Sequence, residues 1–117
     1  MLKGWYYLAH PYSDDPAANV DLSIERTNKL LDLGIKVFNP LTHSHYLDLA
    51  QQRAATFWYE FDVAILDKMD GLILSPGWEN SRGCILEYGW FQGAIAAGRP
   101  IVILHYEDLL KSTPGKK

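Results

Sequence analysis

Apolar residues cluster in four short runs and recur at three- and four-residue spacings in the segments between them. Trp5-Tyr6-Tyr7-Leu8-Ala9 has strand composition and is stopped by His10-Pro11-Tyr12-Ser13-Asp14-Asp15. Asp15 followed by Pro16 is a helix start, a capping side chain before a residue whose φ is already helical. Val20, Ile24, Thr27 and Leu31, with Leu30, mark one face of that helix, and Gly34 ends it. Lys36-Val37-Phe38 is a second strand closed by Asn39-Pro40. Residues 41–55 hold no clear period, and one or two helical turns within a loop are expected there. A helix from about Thr56 to Leu66 carries Phe57, Phe61, Ala64 and Ile65 at helical spacing. After the turn Asp67-Lys68-Met69-Asp70, in which Asp70 satisfies backbone groups, Gly71-Leu72-Ile73-Leu74 is the third strand. Ser75 to Asn80 form a loop, and a helix opening at Asn80 or Ser81 runs to Ala97-Gly98. Within it, Gly89 and Gly93 allow close packing on the sheet. Pro100 to Leu104 is the fourth strand, and residues 106–117 are a helical turn and tail.

Strands that are apolar on both faces, alternating with helices, predict an α/β fold. The expected architecture is a single domain over residues 1–117, a doubly wound parallel sheet of flavodoxin/Rossmann-like type with strand order 2-1-3-4. Right-handed crossovers restrict the topology, and the ligand crevice lies at the switch point between strands 1 and 3.

Composition then narrows the function. With 48% hydrophobic residues the chain can bury a full core. A net charge of −3, with no basic run beyond Lys116-Lys117, argues against polymeric nucleic acid as a partner. The single Cys84 rules out an internal disulfide or a cysteine-rich zinc site and fits a reducing, cytoplasmic setting. No signal peptide is visible at the N-terminus. No apolar segment approaches the ~20 residues that span a bilayer, so no membrane partner is expected.

The crevice should gather Tyr7, His10, Tyr12, Ser75, Ser81, Arg82 and Glu87, with Gly83 in the first turn of the Ser81 helix. Free N–H groups at that helix start, with Ser81 and Arg82, suit an anion or a sugar hydroxyl; Arg82 paired with Glu79 is the plainer alternative. Glu87 sits well inside the helix among Cys84, Ile85, Leu86, Tyr88, Trp90 and Phe91, and a carboxylate in such company reads either as a nucleophile or as a half-exposed helix residue. Asp62 leans toward the same opening or lies on a solvated helix face. Two carboxylates at one pocket are what retaining glycosyl transfer uses, one attacking the anomeric carbon and the other protonating the leaving group. Unequal environments would keep the nucleophile ionised and the acid protonated. Tyr7, in an aromatic strand, reads by default as core. Trp78 lies where it can stack on a base, while Trp5, Trp58 and Trp90 read as core or oligomer contacts. His43-Ser44-His45, with His10 and Asp48, allows a metal-dependent hydrolase as an alternative. Cys84 reads as a small packing residue, and no Rossmann dinucleotide or P-loop glycine pattern is present.

From Tyr6 to Leu104 the chain resembles the nucleoside 2-deoxyribosyltransferase superfamily, which includes the 2′-deoxynucleoside 5′-phosphate N-hydrolases and a small uncharacterised bacterial branch. The resemblance rests on Tyr7-Leu8-Ala9-His10-Pro11, Asn39-Pro40, Met69-Asp70-Gly71, Ser81-x-Gly83-x-x-x-Glu87-x-Gly89 and Ala97-Gly98-Arg99-Pro100, in that order. It implies an N-glycosidase or deoxyribosyltransferase acting on a nucleoside or nucleotide without cofactor or metal. In it Glu87 is the nucleophile that becomes glycosylated, Tyr7 positions Glu87, and Asp62 assists proton transfer to the base. It also implies a homo-oligomer, dimer or tetramer, because family members complete their sites from a neighbouring subunit. The transferases carry aspartate at the position of Ser81, where the hydrolases carry serine. The hydrolases hold phosphate with a serine-rich loop after strand 1, and here that segment contains Asp14 and Asp15, with Asp15 available as a helix cap, so the resemblance leaves a 5′-phosphate requirement open. A nucleotide-binding module without turnover is the remaining alternative.

Overall fold

The computed structural model describes residues 2–111. The strands are β1 (Trp5–Ala9), β2 (Lys36–Phe38), β3 (Gly71–Leu74) and β4 (Val102–His105). The helices are α1 (Pro16–Asp32), α2 (Pro40–Ala50), α3 (Ala55–Leu66), α4 (Arg82–Ala96) and α5 (Tyr106–Lys111), with a 3₁₀ turn at Trp78–Asn80 before α4. All pairings are parallel and the order is β2-β1-β3-β4, as the alternation of elements predicts. Tyr6 pairs with Gly71 and Ala9 with Leu74, so β1 and β3 form the middle of the sheet.

Alternation along these strands divides the core into two layers. Tyr7, Ala9, Leu72 and Leu74 pack with Leu66 of α3 and with Cys84 and Phe91 of α4 on one face. Tyr6, Leu8, Val37 and Ile73 pack with Leu30 of α1 and Tyr106 of α5 on the other. Cys84 is the packing residue it was expected to be. Asp70 caps the turn into β3 by accepting from the Trp5 N–H at 2.9 Å. No helix among the described residues is long and apolar enough to cross a membrane.

Several elements differ from their sequence expectation, each for a local reason. Residues 40–50 form a helix rather than turns in a loop: Asn39 accepts from the N–H groups of Leu41 and Thr42, and Pro40 takes the first helical position. Asn39-Pro40 is therefore a helix start as well as a strand stop. The buried face of α1 is Val20, Ser23 and Leu30, while Ile24 and Leu31 are 38% and 49% exposed. A polar contact sets that phase, since Asn39 donates to Ser23 and Thr27 at 3.0 Å each. Helix α3 is turned the same way: Phe57 and Phe61 are 44% and 36% exposed, and Ala64 is exposed too. Phe61 stacks instead on His43 of α2, ring centroids 5.2 Å apart. Gly89 and Gly93 point away from the sheet, where an added Cβ would meet nothing within 4 Å. Trp5 is exposed rather than core. Strand β4 starts at Val102, because Pro100 has no N–H to give the ladder and the Ile101 N–H turns back to the Arg99 carbonyl, and it ends at His105. Of the expected tail, residues 106–111 are α5; residues 112–117 lie outside the described residues.

Candidate active site

A cavity of about 410 Å³ opens beyond the carboxyl ends of β1 and β2, where open parallel sheets place their ligands. The β1–α1 loop supplies His10, Tyr12 and Ser13 to its wall, and α2 supplies Ser44 and Asp48. The facing wall is Trp58, Tyr59 and Asp62 of α3 together with Ser81, Arg82, Gly83 and Glu87 at the start of α4.

Glu87 is 8% exposed, on the inward side of α4. The Tyr7 hydroxyl, buried within the core, donates to Glu87 Oε2 at 2.7 Å. Asp62 approaches the same hydroxyl from α3 and is more open to solvent. The residues left Glu87 and Asp62 between a cavity and a solvated face; in the structure both line the cavity. Tyr7 is core, as its strand suggests, and its hydroxyl also reaches the Glu87 carboxylate.

Desolvation pushes the Glu87 carboxyl up to about 8, opposed by the Tyr7 hydrogen bond and reinforced by the Asp62 charge. Asp62 rises to about 6, again by desolvation and against a hydrogen bond from Tyr7. The two carboxyls are separated in acidity, yet in the reverse of the expected order. Burial is the reason: Glu87 lies deeper, so it loses more hydration and keeps the proton longer. Burial also pushes the Cys84 thiol up to about 12, so it stays protonated and unreactive at neutral pH.

The remaining expected residues divide. His10 lines the cavity with both ring nitrogens engaged: Nδ1–H donates to the Pro11 carbonyl at 2.9 Å, and Nε2 accepts from Arg26 at 2.9 Å. Burial lowers its pKa, which favours the neutral ring. Tyr12 lines the cavity and is hydrogen-bonded to His45 Nδ1 at 2.8 Å. Ser81 caps α4, its Oγ accepting from the Cys84 N–H at 3.4 Å. Arg82 is exposed at the rim and makes no ion pair with Glu79, and an added Cβ at Gly83 would meet nothing within 4 Å.

Ser75 and Trp78 do not reach the cavity. Ser75 is fully buried after β3, its amide donating to the Ala9 carbonyl, and among the described residues its hydroxyl is the buried side-chain polar atom without a partner. Gly77, at φ 91°, leads into the 3₁₀ turn that carries Trp78, and the Trp78 indole packs on Tyr88, ring centroids 4.8 Å apart. The histidines also separate, His45 toward Tyr12 and His43 onto Phe61. Among the described residues no three His, Cys, Asp or Glu side chains gather as a metal site would need. The tryptophan at the cavity is Trp58, read from the sequence as core or oligomer contact. The signal was available: Trp58 lies four residues before Asp62, so a helix phased on Asp62 turns both to one side.

Residues 4–106 match the model of a protein family described as a domain of unknown function (DUF1937). No curated protein matches the chain.

Proposed function

We propose that this chain, which belongs to the DUF1937 family, cleaves the N-glycosidic bond of a nucleoside or nucleotide through a glycosyl-Glu87 intermediate. The observation that carries the reading is the convergence of Glu87 and Asp62 on one cavity, with the Tyr7 hydroxyl donating to Glu87 on the side near Asp62. The cavity volume suits a small ligand.

The chemistry balances with one shared proton. A Glu87 oxygen attacks C1′ as the C1′–N bond breaks; the bond's electron pair leaves on the base, and Asp62 gives its proton to the base nitrogen. Water then attacks C1′ of the glycosyl ester, gives a proton to Asp62, and frees the sugar and the Glu87 carboxylate. A second base taking the place of water would give transfer. Between about pH 6 and 8 the pair holds the single proton this scheme needs. Desolvation raises both carboxyls and Glu87 the more, so attack requires that the proton lie on Asp62 while the Tyr7 hydroxyl supports the Glu87 carboxylate. His10 and Tyr12 shape the far wall, and Ser81, Arg82 and Gly83 offer hydroxyl, guanidinium and amide donors to the sugar side. A homo-oligomer and a cytoplasmic location belong to the same reading.

The burial of Glu87, which raises its carboxyl pKa, favours a second reading, a nucleotide-binding module without turnover, since a protonated carboxyl is a poor nucleophile. Release of free base from deoxy- and ribonucleosides and their 5′-monophosphates, wild type beside Glu87→Ala, separates the two. Base freed by the wild type alone is the expected result. No release across the panel, with ligands still raising the melting temperature, would replace the enzyme by the binding module.

A further inference from the structure

Helix α3 offers more to the cavity than a carboxylate. Trp58 and Asp62 line the same wall, one helical turn and ~6 Å apart along the axis. The indole is fixed before any ligand arrives. Its Nε1–H donates to Asp48 Oδ1 at 2.8 Å, and that same oxygen accepts from the Arg53 amide at 2.9 Å. These bonds, the indole's first, hold the Asp48 carboxyl below its usual range, so the anchor stays ionised. The Arg53 guanidinium lies 6.0 Å from the Trp58 ring, and Phe61 meets that ring edge-on at 5.7 Å. One aspartate thus ties the end of α2, the connector to α3 and the indole into a single rigid corner.

A fixed indole on a cavity wall is a ready platform for a flat aromatic ring, because its orientation need not be ordered when the ligand binds. Core packing does not explain the arrangement. Trp58 is only half-buried, and its N–H has been given an ionised acceptor at the cavity rather than a backbone carbonyl in the interior. A ring stacked there would have its edge near Asp62, at the position from which a proton can reach a ring nitrogen.

We propose that Trp58 determines the leaving-group specificity of the site, stacking a planar aromatic heterocycle so that Asp62 faces its ring nitrogen. The proposal rests on the glycosidic reading for the role of Asp62, whereas the stacking itself does not depend on turnover. Base stacking on an aromatic side chain is favourable for purines and pyrimidines alike, so the platform sets the class of leaving group, a flat heteroaromatic, and tolerates variation within it.

The test uses free adenine and free thymine as probes of the whole chain, by calorimetry and by tryptophan fluorescence. Trp58→Leu removes the aromatic face, and Trp58→Phe keeps a smaller one should the leucine variant fold poorly. Wild-type protein should bind at least one probe with fluorescence quenching. Trp58→Leu should weaken binding about tenfold or more and abolish the quenching even at saturating probe, whereas Trp58→Phe should weaken binding only about threefold. Binding unchanged in Trp58→Leu, or no binding of either base to the wild type, overturns the proposal. Base release from nucleosides with an unaltered KM in Trp58→Leu would overturn stacking while leaving the glycosidic reading intact. Stacking without any base release would do the converse.

Discussion

Replacing Glu87 by Gln should stabilise the protein, and by an amount that grows with pH. Burial pushes the Glu87 carboxyl from 4.5 to about 8. Between those values the native chain holds a proton that the unfolded chain has released, so unfolding free energy falls as pH rises through that window. Below it both states are protonated and Glu87 contributes nothing; above it both are ionised and the full cost of a buried charge is present. At about 1.36 kcal/mol per pH unit of displacement the cost approaches roughly 5 kcal/mol as an upper figure. Gln cannot ionise, is nearly isosteric and still accepts from the Tyr7 hydroxyl, so it removes the charge and keeps the contact. For a domain of this size about 1 kcal/mol corresponds to ~4 °C, so the variant should melt 10 °C or more above wild type at pH 9. Thermal melts of both proteins at pH 5, 7 and 9, at constant ionic strength, check this. Asp62 titrates in both proteins and largely cancels in the difference. A gap between variant and wild type that stays constant from pH 5 to 9 would refute the desolvation argument.

Two further outcomes follow from the packing. Asn39→Ala removes acceptors for the Leu41 and Thr42 amides and donors to Ser23 and Thr27; a lost cap and unpaired buried groups should together cost roughly 2–3 kcal/mol. Urea unfolding should show this as a lower midpoint at unchanged slope, and a loss under about 0.5 kcal/mol would contradict it. Gly89→Ala should stabilise the protein by about 0.5–1 kcal/mol, since the helix gains a better former and the new methyl meets open space. Destabilisation in the same denaturation assay would mean that this face of α4 is covered in solution.

The strands were legible for a physical reason. Tyr6, Tyr7, Leu72 and Ile73 are buried on both faces of a parallel sheet, so a continuous apolar run suffices and no phase has to be chosen. Helices demand a phase, and here polar contacts set it. Ser23, bound to Asn39 sixteen residues away, turns α1 so that Ile24 and Leu31 face out. Trp58, bound to Asp48 ten residues away, accompanies the turn of α3 that leaves Phe57 and Phe61 exposed. Hydropathy spacing weighs Phe57 and Phe61 above Trp58 and Asp62, which is why it marked the exposed face of α3; Trp78 was placed at the site by its loop position, whereas its indole packs on Tyr88. The topology brought Tyr7 and Glu87 to one crevice, but the bond between them was legible only through a resemblance, since nothing in the apolar pattern marks a strand hydroxyl. The order of the two carboxyl acidities depends on their relative depth, which spacing does not encode.

The contact between Tyr7 and Glu87 joins residues 80 apart in the chain. No single hairpin or helix pair can hold those two groups together; β1 must be paired with β3 and α4 docked over both. The geometry of the cavity floor is therefore a property of the cooperative unit as a whole, and fraying of an end or a connector leaves it intact. On heating or in denaturant, this hydrogen bond should be lost together with the sheet in one transition, so that the competence of the site and the integrity of the fold report on the same equilibrium.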